Sequence, residues 1–235
     1  MTSEHDDIRR IAVVTGGAGA IGGAIVDALS AGCQEVVTID RVASDPVDLA
    51  DERDVRRAAD AVLVRHGRVD VLVHAAAAFD RASIDELDAV TWRHMQAVNV
   101  ESALWLCQAF VPGMRERGFG RIVFVVSDTI WAPPSPDLLA YVTSKAALVG
   151  LARALAMALG RDGVTVNCVA PGLTRTRAAQ EGVPAEVFAE VARRQAVPRT
   201  LVPEDVAAAV AFAVSDAAAA LTGQTLCMDG GLVLR

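Results

Sequence analysis

Aromatic side chains are scarce in this chain: one tyrosine, three tryptophans and six phenylalanines among 235 residues. Alanine and valine dominate instead, and such small side chains suit helices packed closely on a sheet. Cysteine is also sparse. Cys33, Cys107, Cys168 and Cys227 form no CxxC pair, so reduced core thiols are the expectation. The four histidines have no metal-ligand spacing, and no zinc or other metal site is expected. Basic charge is in deficit, with 22 Lys and Arg against 29 Asp and Glu and a formal net charge of −7. An acidic surface repels phosphate backbones, so no nucleic acid is expected as a partner. Long apolar runs are missing too. Polar residues interrupt every stretch that nears the roughly 20 residues of a membrane span, so no membrane partner is expected either. Met1 to Arg10 is polar and lacks the apolar core of a signal peptide. The expectation is a soluble cytoplasmic protein.

What is present is a 53% apolar fraction with 22% charge, the balance of a folded chain. The length fits one domain over residues 1–235. Apolar, β-branched runs at Ile11–Thr15, Glu35–Ile39, Val69–His74, Arg121–Val126, Val164–Val169 and Gln224–Met228 predict strands, with a short extra strand at Val47–Leu49. Amphipathic stretches at Ile21–Ala31, Glu52–His66, Thr91–Arg117, Tyr141–Arg161, Pro184–Arg194 and Pro203–Val214 predict helices. The alternation predicts an α/β fold: a Rossmann-type, doubly wound parallel sheet of about seven strands with helices on both faces. Residues 177–202 depart from the alternation and predict an inserted helical flap.

Thr15-Gly16-Gly17-Ala18-Gly19-Ala20-Ile21-Gly22 follows the first strand and opens the first helix. A turn poor in side chains lets backbone N–H groups approach a pyrophosphate, and the helix N-terminus adds positive potential. The GxGxxG spelling alone is weak; the strand before it and the helix after it supply the context. Asp40 ends the second strand, where a carboxylate accepts hydrogen bonds from ribose hydroxyls and repels a 2′-phosphate, which favours NAD. Arg41 pulls the other way, since an arginine there accommodates that phosphate. Asp48 and Leu49 fall where a carboxylate would meet the adenine amino group.

At the other end of the chemistry, the fourth long strand delivers Ser127 at its C-terminal end, where open α/β sheets bind ligands. Tyr141 and Lys145 stand one turn apart on one helix face. A phenol near pKa 10 is too weak a base at neutral pH, and a neighbouring ammonium favours the phenolate. A lone YxxxK would more often be a helix-surface pair.

Together these motifs resemble the short, single-domain branch of the short-chain dehydrogenase/reductase family, from Arg10 to Gly231. Thr15, Gly16 and Gly22 match its TGxxxGxG turn, with Ala20 in place of the middle glycine. Ser127, Tyr141 and Lys145 match its catalytic serine, tyrosine and lysine. Asn99 matches the helix asparagine that holds a proton-relay water. Pro171-Gly172-Leu173-Thr174-Arg175-Thr176 matches the segment in which the residues at Thr174 and Thr176 bind the nicotinamide carboxamide, and Asp229-Gly230-Gly231 matches the C-terminal signature. The family's NNAG, which packs beside the adenosine, reads His74-Ala75-Ala76-Ala77 here; both asparagines and the glycine are absent.

The resemblance implies that Tyr141 exchanges a proton with the substrate oxygen, Lys145 also binds the nicotinamide ribose, and Ser127 orients the substrate. Gly16, Gly19, Ala20, Ile21, Gly22, Asp40, Arg41, Asp48, Leu49, Ala75, Tyr141, Lys145, Pro171, Gly172, Thr174 and Thr176 are the expected contacts of NAD. It also implies a homotetramer built on Thr91–Arg117 and Tyr141–Arg161. Ser127, Trp131, Tyr141 and Leu173 would line the substrate pocket. Strand alternation would turn Asp128 away from Ser127 if the strand runs that far. The surrounding loops are mostly apolar, with Ile130, Trp131, Ala132, Pro133, Leu138 and Leu173, and with Asp128 turned away the expected small-molecule substrate is an apolar, ring-sized secondary alcohol or ketone. Two other readings stand beside this one: an NADP-dependent 3-oxoacyl thioester reductase, and a nucleotide sensor without catalysis.

Overall fold

The computed structural model describes residues 10–33 and 35–234. The polar reading of the first nine residues lies outside the described part. Six parallel strands form one sheet in the order β2-β1-β3-β4-β5-β6. They are β1 (Ile11–Thr15), β2 (Glu35–Ile39), β3 (Val71–His74), β4 (Gly120–Val125), β5 (Val164–Pro171) and β6 (Thr225–Met228). The four inner strands are buried along their whole length, as strands covered on both faces must be.

Period-two alternation sorts each strand between two cores. Ala12, Val14, Val71, Val73, Val123 and Val125 face α1 (Ala20–Ser30) and α8 (Pro203–Val214). Val13, Leu72, Ile122, Phe124, Val166 and Cys168 face α2 (Glu52–His66), α4 (Ser102–Arg117) and α5 (Leu139–Leu159). The chain runs outward from β1 to β2, then returns to build β3 to β6 on the other side. The reversal leaves a crevice at the C-terminal ends of β1 and β3, where such sheets bind ligands.

Four elements differ from the sequence expectation. The sheet has six strands among the described residues, because Val47–Leu49 is not a strand. Val47 and Leu49 are buried as strand residues would be, but their backbone pairs locally. The Val47 N–H donates to the Asp40 carbonyl at 3.1 Å and the Asp48 N–H to the Asp54 carboxylate at 2.7 Å. The helix expected over Thr91–Arg117 is α3 (Ala89–Gln96) and α4, joined by a π-helical turn at Ala97–Glu101. That wider turn carries the fully buried Asn99, and π turns of this kind concentrate at functional sites. The flap holds two helices, α6 (Arg177–Gly182) and α7 (Ala185–Arg194), where one was expected. Finally, the helix containing α5, Leu139–Asp162, is long and apolar enough to cross a membrane by length and composition. It lies on the sheet instead, with Leu148, Val149, Ala152, Ala156 and Leu159 buried. All four cysteines are free thiols, and burial pushes Cys107 and Cys168 up to about 12.

Candidate active site

The Gly-rich turn leaves β1 at Thr15 and enters α1 at Ala20. Gly16 has a φ of +71°, and a Cβ there would lie 2.7 Å from the Ala76 Cα. A Cβ on Gly22 would lie 2.0 Å from the Gly16 carbonyl oxygen. Both positions therefore require glycine. Gly19 caps α1 without a side-chain hydrogen bond, and no acidic residue occupies the first turn. Ala18, Gly19 and Ala20 are exposed, and Ile21 is half-buried. This open helix N-terminus suits a pyrophosphate.

Asp40 reaches back to this turn. Its carboxylate accepts from the Ala18 N–H at 3.1 Å and the Val42 N–H at 3.1 Å. It is 9% exposed, which keeps a negative charge beside the turn and leaves acceptor capacity for ribose hydroxyls. Arg41 points to solvent, and Asp48 is exposed while Leu49 is buried in the core. The Asp48 carboxylate accepts from the Ala50 N–H at 2.9 Å.

The His74–Ala77 departure has a structural solution. The Thr15 hydroxyl oxygen accepts from the Ala75 and Ala76 N–H groups at 3.2 and 3.1 Å. Its own proton then goes to His74 Nδ1 at 2.9 Å, so His74 Nε2 carries the ring proton and donates to the Asn99 carbonyl at 3.2 Å. Burial, and then the charge on Lys145, lower His74 to about 3, which keeps it neutral. The imidazole thus ties the end of β3 to the π turn. The Asn99 side chain continues the link, accepting from the Ala78 N–H at 2.7 Å and donating to the Ser144 hydroxyl on α5 at 2.9 Å.

Ser127 and Tyr141 meet above the ends of β4 and β5. Ser127 follows β4 in extended backbone; its Oγ accepts from the Thr129 N–H at 3.2 Å and the Thr129 hydroxyl at 2.9 Å, and it lies near enough to the Tyr141 phenol to act on its proton affinity. Lys145 is 2% exposed, and its Nζ donates to the Val125 carbonyl at 2.8 Å. It lies 5.7 Å from the centre of the Tyr141 ring. Burial lowers Lys145 to about 8. Burial raises Tyr141 to about 12, with the charge on Asp128 adding to the rise and the Ser127 hydrogen bond opposing it. The ammonium was expected to lower the phenol; in the protein alone, burial outweighs it.

The segment after β5 is close by. Pro171 ends the strand, and the Gly172 N–H bonds to the Met228 carbonyl at 3.0 Å. Leu173 is half-buried. Thr174 is buried, and its hydroxyl donates to the Gly172 carbonyl at 3.0 Å. The Thr176 oxygen caps α6 by accepting from the Ala179 N–H at 3.1 Å, which leaves its proton to donate. Trp131 is half-buried and packs with Ile130 against the core.

Asp128 overturns one expectation. The strand stops at Val125, and Asp128 begins a 3-10 turn, Asp128–Ile130. Its carboxyl therefore stays beside Ser127, with Oδ1 3.5 Å from the Ser127 Oγ. Phe79 was not anticipated at all. Its ring meets Tyr141 edge-on, 4.7 Å between centres and 73° between planes. The signal for it was its place five residues beyond β3, at the end of the sheet where the other site residues gather.

The chain is similar to known proteins along nearly all of its length. The family model described as "Enoyl-(Acyl carrier protein) reductase" matches residues 16–233. A "Probable galactose dehydrogenase GalD" of Rhizobium meliloti is 32% identical, covering 98% of each chain. A "Cis-4-hydroxycyclohexanecarboxylate dehydrogenase" of Sinomonas cyclohexanicum is 33% identical over 94% of this chain and 96% of its own. Among solved structures, a "putative NAD(P) dependent gluconate 5-dehydrogenase" of Beutenbergia cavernae, described "with bound NADP (low occupancy)", superposes with a TM-score of 0.87 at 34% identity, over 95% of this chain and 96% of its own. The chain belongs to the short-chain dehydrogenase/reductase family. It is an oxidoreductase of a family that uses a nicotinamide cofactor on small molecules.

Proposed function

We propose that the protein is an NAD(H)-dependent dehydrogenase that interconverts a secondary alcohol and its ketone. The observation that carries this reading is the convergence of Ser127, Tyr141 and the buried Lys145 at the ends of β4 and β5, with Tyr141 and Lys145 one helical turn apart on α5 and the Lys145 Nζ 5.7 Å from the Tyr141 ring centre. The two hydroxyls hold the substrate oxygen between them. Tyr141 takes the alcohol proton in oxidation and returns it in reduction. Lys145 supplies positive charge below the phenol and binds the nicotinamide ribose, while Asn99 keeps α5 in register through Ser144. Gly16, Gly19, Ala20, Ile21 and Gly22 cradle the pyrophosphate, Asp40 and Arg41 meet the adenosine ribose, and Asp48, Leu49 and Ala75 border the adenine. Pro171, Gly172, Thr174 and Thr176 hold the carboxamide. The nicotinamide supplies the hydride acceptor or donor and, when oxidised, a positive charge that favours the phenolate.

The preference for NAD rests on Asp40, whose carboxylate sits at the turn while Arg41 faces solvent. NAD is expected to give the higher kcat/KM, and Asp40→Ala to narrow the gap. Equal or better use of NADP by the unmodified protein would assign the choice to Arg41. A turnover screen with both cofactors tests the whole reading. Acyl thioesters belong in that screen, because the matching family model is described by an acyl-carrier reductase; thioester reduction with NADP alone would favour that reading. Cofactor binding without turnover of any substrate would leave a sensor.

The apolar ring alcohol expected from the sequence assumed that Asp128 faces away. Its place beside Ser127 removes that premise. The galactose and gluconate named for the relatives are hydroxylated, and a hydroxylated secondary alcohol of about ring size now fits better. Leu173 and Phe79 border this space, and Trp131 anchors the loop above it. We read residues 1–235 as one catalytic unit working in the cytoplasm, with 177–202 as a flap.

We also propose a homotetramer. Ala103, Leu106 and Leu148 fill the chain's own core, so they do not serve an interface. Leu104 and Met157 are 36% and 87% exposed, and Trp105, Leu151 and Leu155 are half-buried on the same two helices. Light scattering at micromolar concentration is expected to give four times the mass of one chain; a monomeric mass would reject the assembly.

A further inference from the structure

We propose that Asp128 selects the substrate. Its carboxylate receives a hydrogen bond from a hydroxyl on the carbon next to the reacting one, so the site prefers vicinal diols and α-hydroxy ketones to lone alcohols. This inference rests on the reading of Ser127 and Tyr141 as the reacting site.

Asp128 is 7% exposed, as Ser127 is. One carboxyl oxygen stands 3.5 Å from the Ser127 Oγ. The other stands where a Cβ on Gly172 would come within 3.2 Å of it. The absence of a side chain at Gly172 therefore gives the carboxyl its place over the end of β5. Its charge acts on the Tyr141 phenol, so both groups address one space. With its Oδ1 3.5 Å from the Ser127 Oγ, the carboxyl is within reach of a hydroxyl on the carbon next to one whose oxygen is held at Ser127.

The Ser127 hydroxyl lies 3.5 Å from the Asp128 carboxyl, while the Thr129 N–H donates to the Ser127 Oγ at 3.2 Å. An ionised carboxylate accepts about four hydrogen bonds, so capacity remains. The neighbouring Asp229 differs. Its two oxygens accept from the Gly231 and Val233 N–H groups at 2.9 Å each, and it holds the C-terminal turn. Burial and the charge of Asp229 raise Asp128 to about 6, so it is mostly ionised at neutral pH. Tyr141 faces it from α5. A buried carboxylate with no cation bonded to it is costly. An asparagine or serine would fill the same turn more cheaply, so the charge points to a ligand that donates.

The test compares kcat/KM for cyclohexanol and vicinal cyclohexanediol, with NAD and NADP, in the unmodified protein and in Asp128→Ala and Asp128→Asn, with melting temperatures recorded alongside. The unmodified protein is expected to favour the diol by about tenfold or more, the worth of one hydrogen bond to a charged group. Asp128→Ala should bring the ratio near one by lowering the diol value about tenfold more than the cyclohexanol value. Asp128→Asn, which keeps the shape and one acceptor, should fall between and decides the matter if the alanine variant does not fold. A ratio near one in the unmodified protein overturns the proposal and leaves the dehydrogenase reading intact. So does an equal loss on both alcohols in a folded variant, which would make Asp128 a support for Ser127. Turnover of neither alcohol, nor of their ketones, by the unmodified protein overturns both.

Discussion

Tyr141→Phe is expected to lower kcat by a hundredfold or more while the dissociation constant for NAD changes little. The substitution removes one oxygen. The ring keeps its edge-on contact with Phe79 at 4.7 Å, so the fold should survive. What disappears is the group that exchanges the substrate proton, a role worth about 10²–10⁴ in rate. The pH dependence follows from the phenol being pushed up to about 12. Alcohol oxidation needs the phenolate, so its rate should climb as pH rises through the alkaline range. Ketone reduction needs the phenol, which is already present at neutral pH, and should not share that climb. The phenylalanine variant should show neither profile. Near-normal kcat/KM in the variant would mean that another group moves the proton.

Lys145→Met is expected to separate stability from activity. Lys145 is the chain's single lysine, fully enclosed beneath the site, and burial lowers it to about 8. Its folded form therefore holds the proton less tightly than the unfolded chain does. Below pH 8 both states are protonated, and the folded state carries the whole penalty, about 3 kcal/mol at 1.36 kcal/mol per unit. The Lys145 contribution alone rises with pH between about 8 and 10, as the folded state releases that proton first, while the buried thiols Cys107 and Cys168, pushed up to about 12, act in the opposite direction; the difference in stability between the unmodified protein and Lys145→Met isolates the lysine. Methionine removes the charge and fills similar space. It also leaves the Val125 carbonyl without its 2.8 Å donor, which returns about 1–3 kcal/mol of the gain. The melting temperature at pH 7 should be no lower than in the unmodified protein. Turnover should still fall by about a hundredfold or more, and the NAD dissociation constant should rise by about tenfold. A large drop in melting temperature with unchanged cofactor affinity would make Lys145 a packing residue.

The sequence by itself determined the order of the elements, because period-two and helical patterns are local and survive without knowledge of the fold. It also determined the Gly-rich turn, where Gly16 and Gly22 have no room for a Cβ, and the placement of Tyr141 and Lys145 on one helix face, which is a matter of spacing alone. Other features were decided only in three dimensions. Val47 and Leu49 carry a strand's pattern, yet a strand needs a partner, and the Val47 and Asp48 N–H groups bond to Asp40 and Asp54 instead. The neutral state of His74 and its link from Thr15 to Asn99 depend on residues 25 and 59 positions away. Tyr141 and Lys145 lie four residues apart, but burial, not their spacing, sets the proton affinity of both. The position of Asp128 turned on where β4 stops, a boundary that neighbouring strands fix and local pattern does not. Two residues past Val125 the chain leaves the ladder, and a carboxyl that alternation would point away remains beside Ser127.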